Sequence, residues 1–336
     1  MPTMADVARL ARVSESTVSH VMNGTRKVND DTRSRVENAI RTLDYHRNGI
    51  ARALAAGRTS TIGLSVSGLT NQYFVPLMGA IERRVSAAGY LLMVADSHDE
   101  VDRERRVVDS LLARQIDGII VAPSGGFTDA SAEHIIQSGT PLVLIDRALD
   151  LDCDQVVPEN RASVAQLTTH LIGHGHRRIA AVTGLPELTS SQERRQSFLD
   201  TVRESLDLDP ALVVVGNSNV DDADDAVMKL LELPDPPTAL VTLNNSMTIG
   251  ALRAIRRSGR RVPEDIALAV YDDFEWSDLF EPGLTAVAQD TMTMGSRAAD
   301  LLLARIAGDA GPCRREVVPT VFHRRTSCGC PPVTQH

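Results

Sequence analysis

Apolar residues follow two different rhythms along this chain. In residues 1–45 the spacing is helical: Met4, Val7, Ala8 and Ala11 stand at i, i+3, i+4 and i+7, behind Thr3 as a cap with Asp6 three residues on. A break at Arg12-Val13-Ser14 follows. Ser14 is placed to cap a second helix and Asn23-Gly24 to stop it. Val18, Val21 and Met22 share one face of that helix, leaving Glu15, Ser16, Ser19 and His20 on the other. Asn29 can cap a third helix, with Val36, Ile40 and Leu43 as its inward stripe. From residue 60 the pattern changes to compact apolar runs: TIGLSVSG, YLLMVADS, GIIVAPS and PLVLIDR, then RRIAAVTG, LVVVGN, TALVTLN and IALAVYDD. Runs of this length separated by helical stretches predict parallel strands covered on both faces by helices. A division near Pro158 predicts two such α/β lobes.

Two short helices joined by a tight turn, the second with a polar outer face at its N-terminal end, predict a helix-turn-helix. Short donors and acceptors at that end can reach base edges, and the exposed amides there suit phosphate. The plainer alternative is a small capped helix whose polar face meets only water. NGIARALAAGRTS, residues 48–60, could form about two turns of helix, too short to persist alone in water. Leu54 is the large apolar side chain of its second half and a candidate wedge for a minor-groove step.

Charge sharpens this division. The 336-residue chain carries a net charge of -9, unevenly spread. Residues 1–60 hold ten Arg/Lys against six acids, and the remainder 25 against 38. A small basic head on a large acidic body suggests that the head meets phosphate and the body does something else. Hydrophobic residues make up 43% of the chain, enough for a sizeable interior, but no apolar run is long enough to span a bilayer. The start, MPTMADVARLARV, lacks an apolar signal core, which predicts a cytoplasmic protein with reduced cysteines and no membrane partner.

In parallel sheets ligands collect at the carboxyl ends of strands. Asn71, Tyr73 and Phe74 follow the first run, Asp146 and Arg147 follow PLVLI, and Arg194 opens the helix after AAVTG. Asn244 and Asn245 follow ALVTL, Asp272 follows LAVY, and Gln289 follows TAVA. Amides, carboxylates and guanidinium groups pair with adjacent hydroxyls, and an aromatic face covers an apolar ring face, so this inventory suits a sugar. Several of these groups could equally cap helices, as Asn and Asp do after strands. Trp276 could line the mouth of the pocket or pack between the lobes.

The strings MADVARLARVSESTVSHVMNG, VNDDTRSRVENAIRTLDY and IARALAAGRTSTIGL resemble the DNA-binding head and hinge of the lactose repressor family of bacterial transcription regulators. GHRRIAAVTG, RRQSF, ALVTLNNSMTIGALRAIRRSG, RVPEDIALAVYDDF and GLTAVAQD extend the resemblance, in the family's order, over nearly the whole chain. It implies base reading by Glu15, Ser16 and His20, with Thr17 and Ser19 beside them, Arg26 near the backbone or a base, and Leu54 as the hinge wedge. His20 stands where many members have Arg, Glu15 is less usual, and Arg47 replaces a frequent Pro. The body is similar to periplasmic ribose-binding proteins, which implies a ligand enclosed between two lobes and contacted by the strand-end residues above. Two departures are Asn245, where Asp is common, and Ser218, where an aromatic often stands.

Enzyme readings find little support. No Gly-Lys pair offers a phosphate-binding loop, and GLSVSG has Ser67 where a nucleophile elbow needs its second Gly. His170 and His174 have a spacing that could hold zinc, with His176 nearby, but a helix end followed by a Gly-His-Arg turn is the plainer reading. Cys328-Gly329-Cys330 could chelate or oxidise, yet reads more simply as a free thiol pair in a frayed terminus. The run DDADD at 221–225 most simply complements a helix N-terminus. No metal and no cofactor are expected.

The predicted organisation is a helix-turn-helix head over 1–47, a hinge over 48–59, and a two-lobed α/β body, periplasmic-binding-protein-like, over 60–336. The N-lobe is about 60–158 plus 291–320, and the C-lobe about 159–288 plus the C-terminal segment. The expected function is a sequence-specific repressor that binds a double-stranded, pseudo-palindromic operator as a homodimer. A small-molecule effector in the interlobe cleft, a monosaccharide or derivative, would control its DNA affinity. Two alternatives stand beside it: a cytosolic sugar sensor with only non-specific DNA binding, and a sugar or nucleoside enzyme using Asp272 or Asp146 as base.

Overall fold

The computed structural model describes residues 2–24, 26–45, 58–279 and 281–331. They fall into two units, Met1–Thr59 and Ser60–His336. In the first, helix α1 spans Met4–Ala11, α2 Glu15–Asn23 and α3 Asp30–Thr42. Each helix starts on a side-chain cap. Thr3 and Asp6 form a reciprocal capping box, Ser14 accepts from the Thr17 amide, and Asn29 accepts from the Thr32 amide. Arg12 closes α1 in the left-handed region, which fixes the short turn into α2, and Gly24 at φ 63° ends α2 where a side chain would be strained. Val7, Ala8, Ala11, Val18, Val36 and Ala39 are buried as the core of this unit. Small residues dominate it, so the helices lie close and each helix end matters to stability.

The body holds two six-stranded sheets. The first orders β11 (Arg315–Val318), β5 (Asp154–Pro158), β4 (Leu142–Ile145), β3 (Gly118–Val121), β1 (Thr61–Val66) and β2 (Leu91–Asp96). The second orders β12 (Thr320–His323), β10 (Thr285–Gln289), β9 (Ala267–Tyr271), β8 (Ala239–Thr242), β6 (Ile179–Thr183) and β7 (Val213–Val215). The ladders are parallel except for β12, which runs antiparallel to β10. Strand order reverses at β1 in one sheet and at β6 in the other, and such switch points open a crevice at the carboxyl ends of the strands. The chain crosses between the sheets three times, after Pro158, after Gln289 and after Val318. The crossings lie side by side: the Glu159 amide donates to Val318 O at 2.9 Å, and Gln289 sits opposite Thr320 in the ladder.

Three strands differ from the apolar pattern. β5 begins with Asp154 and Gln155, and β11 and β12 are short edges carrying Arg315, Glu316 and His323. Asp154 is tolerated in the interior because Arg305 Nε donates to it at 2.7 Å and the Arg314 amide at 2.8 Å. The C-terminal segment also departs from the frayed terminus expected of it. Ser327 Oγ donates to Leu268 O at 2.7 Å and accepts from the Thr285 amide at 2.8 Å. Cys328 and Cys330 are only 1% and 4% exposed. The tail is tied down by the starts of β9 and β10, contacts that no local spacing encodes. The acidic run does sit at a helix start, where Asp221 and Asp222 occupy the first turn of Val220–Leu231 behind Asn219 as cap.

Candidate functional site

In the head, Glu15 and Ser16 at the start of α2 are exposed, Thr17, Ser19 and His20 are half-buried, and Arg26 is exposed beyond the Gly24 stop. The Ser14 hydroxyl lies 2.8 Å from Ser16 Oγ and 2.9 Å from Thr17 Oγ1, besides capping the Thr17 amide at 3.2 Å. The first turn of α2 is therefore a small hydroxyl cluster set on exposed helix amides, with the positive end of the helix dipole behind it. Leu54 and residues 48–57 of the expected hinge lie outside the described residues.

In the body, all ten residues named from the strand ends line one cavity of about 110 Å³ between the two sheets. Asn71, Tyr73, Phe74, Asp146 and Arg147 come from the first lobe, and Arg194, Asn244, Asn245, Asp272 and Gln289 from the second. The wall also includes Ser67, Asp99, Leu188, Ser190 and Ser191, which the strand-end rule does not select, and Ser218, the position where an aromatic often stands. Asp99 had the signal used for the others, a place after a strand, but it stands in the polar run Asp96-Ser97-His98-Asp99-Glu100, where no one residue is marked out. Trp276 is not among the wall residues; it stacks on Phe274 at 4.1 Å and donates to Gln72 Oε1 at 3.3 Å.

Hydrogen bonds organise the wall in each lobe. Arg147 is held by both Asp99 oxygens, by Pro123 O at 2.7 Å and by Ser67 Oγ at 3.2 Å. Tyr73 donates its hydroxyl to Asp146 Oδ1 at 2.6 Å. Across the cavity, Asp272 accepts from Gln289 Nε2 at 2.6 Å and from the Asn245 amide at 3.0 Å. Arg194 lies 3.8 Å over the Tyr271 ring and donates to Asn160 Oδ1 at 2.8 Å and Leu243 O at 3.0 Å. Asn245 Nδ2 reaches Asn71 Oδ1 at 2.5 Å, and the Tyr73 hydroxyl lies 3.3 Å from Gln289 Oε1, so both bonds bridge the lobes. Asn244 caps the helix Asn245–Arg257 through the Met247 amide, so it is a helix cap as well as a wall residue.

Asp146 and Asp272 sit at equivalent points, each just beyond a buried strand, with φ of 75° and 79°. Left-handed backbone is costly for a side-chain-bearing residue and least so for Asp and Asn, and it persists where surrounding structure enforces it. Each amide still reaches the neighbouring strand, Asp146 to Val156 O and Asp272 to Val287 O, both at 3.0 Å. The turn aims two buried carboxylates into the crevice from opposite sides. Burial raises the Asp272 carboxyl above the ordinary carboxylate range, against the pull of Arg194 and its two donors. For Arg147, burial acts to lower the pKa, but Asp99 and Asp146 outweigh it and hold the guanidinium firmly charged. Fixed carboxylates and guanidinium groups beside an aromatic pair can bind a small polyhydroxylated ring on its rim and cover one apolar face.

Residues 3–48 match the family of bacterial regulatory proteins, lacI family, and residues 168–328 match the periplasmic binding protein-like domain. The chain is 33% identical over 308 residues to the HTH-type transcriptional repressor PurR of Aliivibrio salmonicida (strain LFI1238), covering 91% of this chain and 92% of that protein. It is 33% identical over 309 residues to the ribose operon repressor of Haemophilus influenzae, with the same coverage. Among solved structures it is similar to the Lac repressor dimer bound to operator and the anti-inducer ONPF, at TM-score 0.87 and 28% identity over 97% of this chain and 99% of that one. A cellobiose complex of the transcriptional regulator CelR matches at TM-score 0.73 and 31% identity, over 97% of this chain and all of that one.

Proposed function

The chain belongs to the lacI family of bacterial regulatory proteins, and on that premise we propose that it is a homodimeric repressor whose operator affinity is set by a sugar in the interlobe cavity. It is a DNA-binding regulator and not an enzyme, in keeping with relatives that are transcriptional repressors. Two heads read a pseudo-palindromic operator on the nucleoid. Glu15, Ser16, Thr17, Ser19 and His20 contact DNA from the first turns of α2, and Arg26 approaches the backbone. Paired hinges over 48–59 fold at the operator centre, where Leu54 opens the minor groove.

The observation that carries the effector half is the lining of the cavity. Three carboxylates, two guanidinium groups and four side-chain amides from both lobes surround a small space, with Tyr73, Phe74 and Leu188 as its few apolar surfaces. That balance favours a polyol over a flat base, which would need wider apolar faces. A ligand held by both lobes acts on DNA only through its different affinity for two lobe arrangements.

The test is a fluorescence-anisotropy titration of DNA selected from random sequence by the protein itself, with ribose, other pentoses and hexoses, and purine bases added in turn. Specific binding that one sugar shifts supports both halves of the proposal, and the sign of the shift separates inducer from corepressor. Salt-sensitive binding without sequence preference would overturn the operator half, and a response to a purine base alone would overturn the sugar.

A further inference from the structure

The helix Arg161–Gly173 links two parts of the second lobe. Its start lies beside the effector cavity, where Asn160 receives Arg194, and its end lies about 20 Å away, at 1.5 Å per residue. At that far end the buried tail returns. Cys330 Sγ lies 3.4 Å from His170 Nε2, 3.1 Å from His174 Nε2 and 2.8 Å from Cys328 Sγ. The donor atoms of His170, Cys328 and Cys330 all fall within 4.8 Å of one another, and the His170 and His174 rings are 4.6 Å apart. We propose that His170, His174, Cys328 and Cys330 form a binding site for a thiophilic divalent cation, zinc in the first place, which fastens the C-terminal segment to the second lobe.

Local structure supports each ligand. The histidines are four apart, so they share one helix face. Gly329 at φ 82° makes the turn between the cysteines in a backbone region that a side chain would resist. Zinc bonds of about 2.3 Å to sulfur and about 2.0 to 2.1 Å to nitrogen, at tetrahedral angles, separate the donors by about 3.4 to 3.8 Å. The three distances from Cys330 are shorter, so an ion is accommodated by moving those donors apart by about 1 Å or less, with His174, which stands outside the 4.8 Å group, turning in as the fourth ligand. Binding displaces two thiol protons to solvent, and the two thiolates neutralise the cation. Thr285 Oγ1, 3.2 Å from Cys328 Sγ, donates to that sulfur and steadies it from outside the ligand set. Arg324, which acts electrostatically on His174 and Cys330, is exposed and opposes ion binding modestly across solvent. His176 is turned away, with Nδ1 3.0 Å from Thr238 Oγ1.

The site is tested on the full chain, reduced and stripped with a chelator, by titration with Co²⁺ and then Zn²⁺. One Co²⁺ per chain is expected, with sulfur-to-cobalt charge-transfer absorption and the intense visible bands of tetrahedral coordination, both bleached by Zn²⁺. Zn²⁺ alone should raise the thermal midpoint. Cys330→Ser should weaken Co²⁺ binding by well over about tenfold, and His174→Gln, an exposed position that threatens folding least, by at least about tenfold. The pair Cys153→Ser and Cys313→Ser should leave binding intact. The proposal fails if the reduced chain takes up no Co²⁺, if Cys330→Ser and His174→Gln both bind as wild type does, or if anaerobically prepared protein holds a Cys328–Cys330 disulfide that survives mild reduction.

Discussion

Ser14 allows the folding of the head and its grip on DNA to be separated. Its hydroxyl caps the Thr17 amide at 3.2 Å and joins Ser16 and Thr17 in one hydroxyl cluster at the end of α2 that would enter a groove. Ser14→Ala removes the cap at a cost of about 1 kcal/mol, within a range of about 0.5 to 2. The first turn of α2 then frays in the free protein, and DNA binding must re-form it. One head's loss gives about fivefold weaker binding, and both heads of a dimer about 2 kcal/mol, or about 30-fold. Amide exchange at Thr17 and Val18 should speed up in parallel. Ser14→Asp is the companion variant, because aspartate caps as well as serine and complements the helix dipole. Exchange protection should return, while a carboxylate facing phosphate keeps DNA binding weak. The reasoning fails if Ser14→Ala leaves both exchange and affinity unchanged, or if Ser14→Asp binds operator as tightly as wild type.

Three further outcomes follow from the body. Tyr73→Phe removes the donor to buried Asp146 and should destabilise the unliganded protein by about 1.5 to 3 kcal/mol in urea unfolding; a loss under about 0.5 kcal/mol would contradict it. Asp272→Asn tests the raised carboxyl pKa. A raised pKa means that the stability this group contributes is present below about pH 4 and is lost as pH rises through the folded value, so the variant should gain on wild type as pH rises above about 4 while losing its sugar response. A wild-type advantage that grows with pH would reverse the sign. Gly295→Ala places a Cβ 2.5 Å from Leu77 O, between the helices Thr291–Ile306 and Phe74–Ala87, and should cost about 1 to 3 kcal/mol by thermal unfolding.

The head was legible in the sequence because caps and helical periodicity are local. Thr3, Ser14 and Asn29 each announce a helix within three residues. Most strands were equally plain, since burial on both faces leaves unbroken apolar runs. β5, β11 and β12 were hidden for the opposite reason: Asp154 is satisfied by Arg305 from far along the chain, and edge strands carry charge. The strand-end rule gathered ten of the residues that line the cavity, but it passed over Asp99, whose link to Arg147 is a matter of tertiary packing. The order of the tail is not legible in the sequence because Cys330 meets His174 and His170 across 156 and 160 residues, a closeness that depends on β12 returning antiparallel beside β10.

The three adjacent crossings have a mechanical consequence. With Glu159 bonded to Val318 and Gln289 in register with Thr320, three parallel straps share one narrow line. Such a joint resists sliding and twisting and leaves swinging as its soft motion, as a door moves on a row of pins. A single protease cut at any one strap would leave the two halves joined through the other two. A chain nicked there should therefore still migrate as one particle under native conditions and still swing about the same line.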